Sequence, residues 1–115
     1  MLHIHPVETY GLKFKIGRTS VGLISDTKYF RELEDFYKTD ILIIPVVFFA
    51  PRPEIAHLSL ADAEELISAI KPKKAILTHF GMTILQAKPH IQAELLTQKL
   101  KIEVLAAYDG FKLDL

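Results

Sequence analysis

Leu12, Phe14 and Ile16 alternate with Lys13 and Lys15, the period-two pattern of a strand with one wet face. Gly17 to Ser20 reads as a turn, and Val21-Gly22-Leu23-Ile24-Ser25 as the returning strand of a hairpin. The period then lengthens. Phe30, Leu33, Phe36 and Tyr37 fall at i, i+3, i+6 and i+7, one apolar stripe on a helix over about residues 28–37. Asp26-Thr27 can cap that helix, and Thr39-Asp40 closes the unit.

Residues 41–47, Ile-Leu-Ile-Ile-Pro-Val-Val, are apolar at every position. Such a strand is covered on both faces. Pro45 has no N–H to give a ladder, so it belongs at the strand's end or at a bulge. Phe48-Phe49-Ala50-Pro51-Arg52-Pro53 is a stiff loop. Ser59 and Asp62 form a capping-box start for a helix over residues 60–70, with Ala63, Leu66, Ile67 and Ile70 facing inward. Lys71-Pro72 ends it, and Ala75-Ile76-Leu77-Thr78 follows as a buried strand, which completes a βαβ unit. Lys88-Pro89 opens a third helix, with Ile91, Leu95, Leu96 and Leu100 as its stripe. Residues 104–108 read as a strand, Asp109-Gly110 as a hairpin turn, and residues 111–115 as an edge strand.

The 115 residues suffice for one domain. The formal net charge is zero, so composition does not point to non-specific nucleic-acid binding, although a neutral total permits a local basic patch. The chain has no cysteine, which removes disulfides and thiolate zinc sites and leaves His and carboxylate as metal ligands. The N-terminus has no signal-peptide pattern, and the longest apolar run is too short to span a bilayer. Both fit a cytoplasmic protein with no membrane partner.

Candidate chemistry collects at strand and helix ends. His79 follows a core strand, Asp26 follows the hairpin, and His57 precedes a helix start. In an open α/β layer these ends share one rim, where ligands bind. His5 can join them if the first segment runs along that rim. Imidazoles and a carboxylate can hold a divalent cation there, which would polarise a phosphoryl or carbonyl oxygen and acidify a bound water. Position alone also allows Asp26 to be a helix N-cap and His57 a loop residue. His3 and His90 read as surface residues, and Arg52 as an exposed loop arginine.

Five segments in order resemble one family: His5-Pro6-Val7-Glu8-Thr9-Tyr10-Gly11, Ser25-Asp26-Thr27, His57-Leu58-Ser59, Leu77-Thr78-His79-Phe80-Gly81 and Ala106-Ala107-Tyr108-Asp109-Gly110. Together they are similar to the C-terminal half of metallo-β-lactamase-superfamily hydrolases, in the flavour of the ribonuclease Z and cyclic-phosphodiesterase branch. The resemblance implies an α/β fold, half of an αβ/βα sandwich, with one mixed sheet of five to six strands and about three helices mainly on one face. It implies that His5, Asp26 and His79 ligate metal, Zn or Mn, with Asp26 bridging, and that His57 assists phosphodiester cleavage. The family's His-x-His-x-Asp-His loop belongs to the other half and is absent from these residues. The expectation is therefore a metal-dependent hydrolase in truncated form with an incomplete site, or a catalytically inactive, self-associating module. The sheet face that meets the missing half would be covered by a second copy as a homodimer, or by a separately encoded N-terminal half.

Overall fold

In the computed structural model the described residues are 2–3, 9–25, 27, 29–46, 58–80 and 88–108. Strands β1 (Leu2–His3) and β2 (Thr9–Tyr10) pair antiparallel as a small separate sheet. Two residues are too few to show a period, so the sequence pattern misses both.

The main sheet contains β3 (Leu12–Ile16), β4 (Thr19–Leu23), β5 (Ile41–Pro45), β6 (Lys74–Thr78) and β7 (Glu103–Ala106), in the order β3-β4-β5-β6-β7. The first pair is antiparallel and the other three are parallel. The hairpin loop is Gly17-Arg18, with Gly17 at φ +61°, a two-residue turn that wants a positive φ. Pro45 ends β5, where its missing N–H costs least. Three helices, α1 (Glu32–Phe36), α2 (Leu60–Ile70) and α3 (Pro89–Leu100), accompany the sheet.

Strand parity divides the core. Leu42 and Ile44 of β5, Ala75 and Leu77 of β6 and Val104 of β7 pack with Leu33, Ala63, Leu66, Ile67, Ala93 and Leu96 of the helices. All three helices therefore cover one face. The intervening residues Val21, Ile41 and Ile76 form a smaller cluster on the opposite face, with Ile43 and Ala107 against it. Each of the three is 4% exposed, so the centre of that face is closed within the chain and not bare as expected. The open apolar surface lies at its edge. Phe14 stands directly opposite Val21, on the same face. Leu12, Phe14 and Ile16 are 58%, 41% and 52% exposed.

Two helix readings need correction. The first helix begins at Glu32, after Arg31, and no side chain caps it. Tyr29 and Phe30 pack on the core ahead of the helix, and this anchoring replaces the first turns predicted from residue 28. The N-cap position of α1 is thus Arg31, five residues after the predicted cap. In α3 the buried positions are Ala93 and Leu96, while Ile91 and Leu95 face solvent at 39% and 53%. The small side chain of Ala93 lets α3 approach the sheet on a face rotated from the larger apolar residues. Helix α2 has the predicted bounds and cap. Asp62 N donates to Ser59 Oγ at 3.2 Å, and Ser59 N donates to Asp62 Oδ2 at 2.9 Å.

The N-terminal ends of the parallel strands are tied by Asp40. Its Oδ2 accepts from Ser20 N (3.0 Å) and Ser20 Oγ (3.1 Å), and its own N donates to Ser20 Oγ (2.8 Å). Its carbonyl accepts from Lys73 N and Lys74 N at 2.7 and 3.1 Å. The hydrogen bonds from Ser20, backbone first and then hydroxyl, hold the Asp40 carboxyl below its usual range, with Lys73 and Lys15 adding smaller attractions. A carboxylate depressed in the folded state stabilises above its unfolded pKa, and that contribution is lost as pH falls through the folded value. Urea unfolding midpoints of the wild type should therefore drop below about pH 4, and those of Asp40→Asn should drop less over the same range. Equal slopes would show that Asp40 contributes no acid sensitivity.

Candidate functional site

Parallel pairing brings the C-terminal ends of β4, β5, β6 and β7 to one rim. Backbone hydrogen bonds continue past the strand ends there. Ile24 N donates to Ile43 O (3.0 Å), Val46 N to Thr78 O (2.8 Å) and Ala107 N to Leu77 O (2.9 Å). Thr78 Oγ1 adds a bond to Ile44 O at 3.4 Å. The rim is thus held by the ladder itself.

His79 leaves this rim immediately after β6. Its φ is +57°, a left-handed conformation uncommon for a residue with a Cβ, though His is among those enriched in it. The side chain is exposed. Thr78 on one side is fixed to β5, and Phe80 on the other packs on the main core. The imidazole is therefore carried at a bend whose two flanks are anchored.

His5, Asp26 and His57 lie outside the described residues, as do Arg52, the loop 48–53, the segment 81–87, the turn at Asp109-Gly110 and the strand read at 111–115. Their described neighbours bear on the site. Ser25 and Thr27 flank Asp26 just beyond β4, with Thr27 fully buried. Leu58 and Ser59 follow His57 and are buried, and Ser59 is locked by the capping box that starts α2. Of the four residues, the structure places His79 at the rim. Among the described residues no three His, Cys, Asp or Glu side chains gather as a metal site. An imidazole is a donor suited to a borderline divalent ion, so His79 has the chemistry of one ligand of a larger set. His90 is exposed, as read from the sequence.

Described depressions include one of about 530 Å³ along α3 and β7, with Val104, Ala106 and Tyr108 in its lining. Another of about 480 Å³ between α1 and α2 is lined by Glu34, Ala61, Glu64, Glu65, Ser68 and Ala69. It carries no group of the predicted site. The Ser20–Asp40 tie is missed by sequence reasoning, since its partners lie 20 positions apart and show no local signal.

Comparison with known proteins gives a consistent picture. A family described as "Beta-lactamase superfamily domain" matches residues 1–80. An uncharacterised protein of Methanocaldococcus jannaschii, MJ1374, is 32% identical over 118 residues, covering 98% of this chain and 44% of the relative. The metallo-beta-lactamase fold protein YhfI of Bacillus subtilis superposes with a TM-score of 0.81 at 22% identity, over 96% of this chain and 46% of that one. Igni18, a metallo hydrolase of Ignicoccus hospitalis, gives 0.71 at 14% identity, over 98% and 52%. A diphosphatase of the PhnP family gives 0.66 at 24% identity, over 99% and 41%. These structures share the fold with this chain, and the chain spans about half the length of each protein it matches. Among the described residues no helix is long and apolar enough to cross a membrane.

Proposed function

Because this chain belongs to the beta-lactamase superfamily, as the match over residues 1–80 shows, we propose that it is the C-terminal half, as one domain, of a metal-dependent hydrolase acting on phosphodiester bonds. The observation that carries the reading is His79, exposed and anchored at the rim where the parallel strands end. In this reading His5, Asp26 and His79 would hold a divalent cation, Zn or Mn. Such an ion polarises a phosphoryl oxygen and lowers the pKa of a bound water. His57 gives its proton to the leaving oxygen, a role for a group that titrates near neutrality.

The His-x-His-x-Asp-His loop would come from the other half of the fold, and these residues by themselves would hold the metal weakly. A second copy of this chain covers the Leu12-Phe14-Ile16 edge. Exposed apolar residues clustered on one strand are the kind of surface a partner buries.

The test is metal analysis of protein purified without chelator, with hydrolysis of bis(p-nitrophenyl) phosphate and light scattering on the same preparation. Bound divalent ion and turnover, both lost in His79→Ala and Asp26→Ala, are expected, together with the mass of a dimer. No metal and no turnover, alone or mixed with a polypeptide carrying the missing loop, would leave the inactive self-associating module as the correct reading. A monomer at about 100 µM would remove the dimer, since that concentration exceeds by about a hundredfold the micromolar Kd of a modest interface.

A further inference from the structure

The chain is neutral in total, yet its fold sorts the charge. The end of the main sheet opposite His79 contains the β3–β4 turn and the segments that lead into β5, β6 and β7. The register puts these four places side by side: Ile16 pairs Thr19, Val21 pairs Ile41, Ile41 pairs Lys74, and Lys74 pairs Glu103. Lys15, Arg18, Lys38, Lys71, Lys73, Lys74 and Lys101 all fall at this end. Two described carboxylates at this end, Asp40 and Glu103, are both engaged. Asp40 is held by Ser20 with Lys73 Nζ at 3.9 Å, and Glu103 pairs with Lys74 at 3.6 Å. Lys15, Arg18, Lys38, Lys71, Lys73 and Lys101 are exposed. Among the carboxylates, Glu34, Glu64 and Glu65 line the depression between α1 and α2.

A simpler account covers part of this. Cations at the C-termini of α2 and α3 complement the helix dipoles, which explains Lys71 and Lys101. It also reaches Lys38, one residue past the C-cap of α1, and leaves Lys15 and Arg18 on the hairpin unexplained. Lys71 and Lys101 also sit at φ 54° and 60°, where glycine is the conformationally easiest residue.

From this juxtaposition we infer that the basic end of the sheet is a nucleic-acid contact that tracks the phosphate backbone without reading sequence. Four inter-strand steps of about 4.8 Å make the row about 19 Å long. That is the axial length of five or six phosphates on one duplex strand at about 3.4 Å each. Six of the seven cations are lysines, point charges that suit single phosphates and give no planar base readout. Phe14, beside Lys15 on β3, is 41% exposed, a single aromatic face against a row of cations, so base stacking contributes little. The contact lies a strand length, about 17 Å, from the His79 rim and does not depend on the hydrolase reading.

The test is fluorescence anisotropy of a labelled 20-base-pair DNA duplex of arbitrary sequence, titrated with wild-type chain between about 50 and 200 mM salt. Six exposed cations neutralising six phosphates give a slope of log K against log salt of about −5.4, a fall of roughly 2,000-fold over that range. In the Arg18→Gln/Lys71→Gly/Lys101→Gly variant, which keeps three of them, the slope should shrink to about −2.7. Thermal melts check folding, and glycine fits both substituted backbone positions. A wild-type chain that does not bind at the lowest salt, or a variant with an unchanged slope, would overturn the proposal. Binding to phosphatidylserine vesicles but not to the duplex would overturn it in favour of a lipid surface.

Discussion

Leu66→Ala should lower the unfolding free energy by about 3–4 kcal/mol, within the range for a fully buried leucine cut back to alanine. Leu66 is 0% exposed and sits mid-helix on the buried side of α2. Its neighbours in the main core come from β5, β6 and the other helices, so the void cannot close by moving one element. The rigidity of that setting puts the expected loss above the low end of the range. Urea unfolding monitored by tyrosine fluorescence measures it. A loss below about 1 kcal/mol would mean that α2 relaxes onto the sheet, contrary to the close packing of interiors.

Gly22→Val should cost about 2–3 kcal/mol, the upper part of the usual range for overpacking. A Cβ at Gly22 would stand 3.0 Å from Thr39 Oγ1, 3.0 Å from Tyr37 Cδ1 and 3.4 Å from Leu42 Cδ1. Thr39 cannot yield easily, because its hydroxyl donates to Ile41 O at 2.7 Å. Tyr37 is fully buried and packs edge-on against Phe36 at 4.9 Å between ring centroids. Burial also pushes the Tyr37 phenol up to about 12, so the ring stays neutral in its site. Gly22→Ala adds the Cβ alone and should cost less, with valine's branches meeting the same neighbours. Urea midpoints for the two variants give the comparison, and a valine variant as stable as wild type would show that Tyr37 can move aside.

Much of the architecture is legible where the cause is local. The Ser59–Asp62 box and the alternation of β3 lie within a few residues, and residues 41–45 are apolar because β5 is covered on both faces. Helix α3 is misread because size is mistaken for direction: Ala93 is buried and Leu95 is not. The start of α1 is misread because Tyr29 and Phe30 fit a helical stripe equally well as extended anchors. The strand-end reading of His79 holds, since the apolar run of β6 is enough to locate it. The Ser20–Asp40 tie and the basic end are invisible in the sequence for one reason. Their members are scattered from position 15 to position 101, and pairing of the strands alone makes them neighbours.

In the main sheet each strand lies beside the one made just before it. No later segment has to be threaded between two that have already paired. A polypeptide emerging from the ribosome at about 5–20 residues per second can add each strand to the growing edge as its crossover helix docks. The hairpin of β3 and β4 closes the shortest loop and is the natural first step, since long-range pairing carries the larger loop entropy. Synthesis order and assembly order then coincide, so little apolar strand waits unpaired during translation.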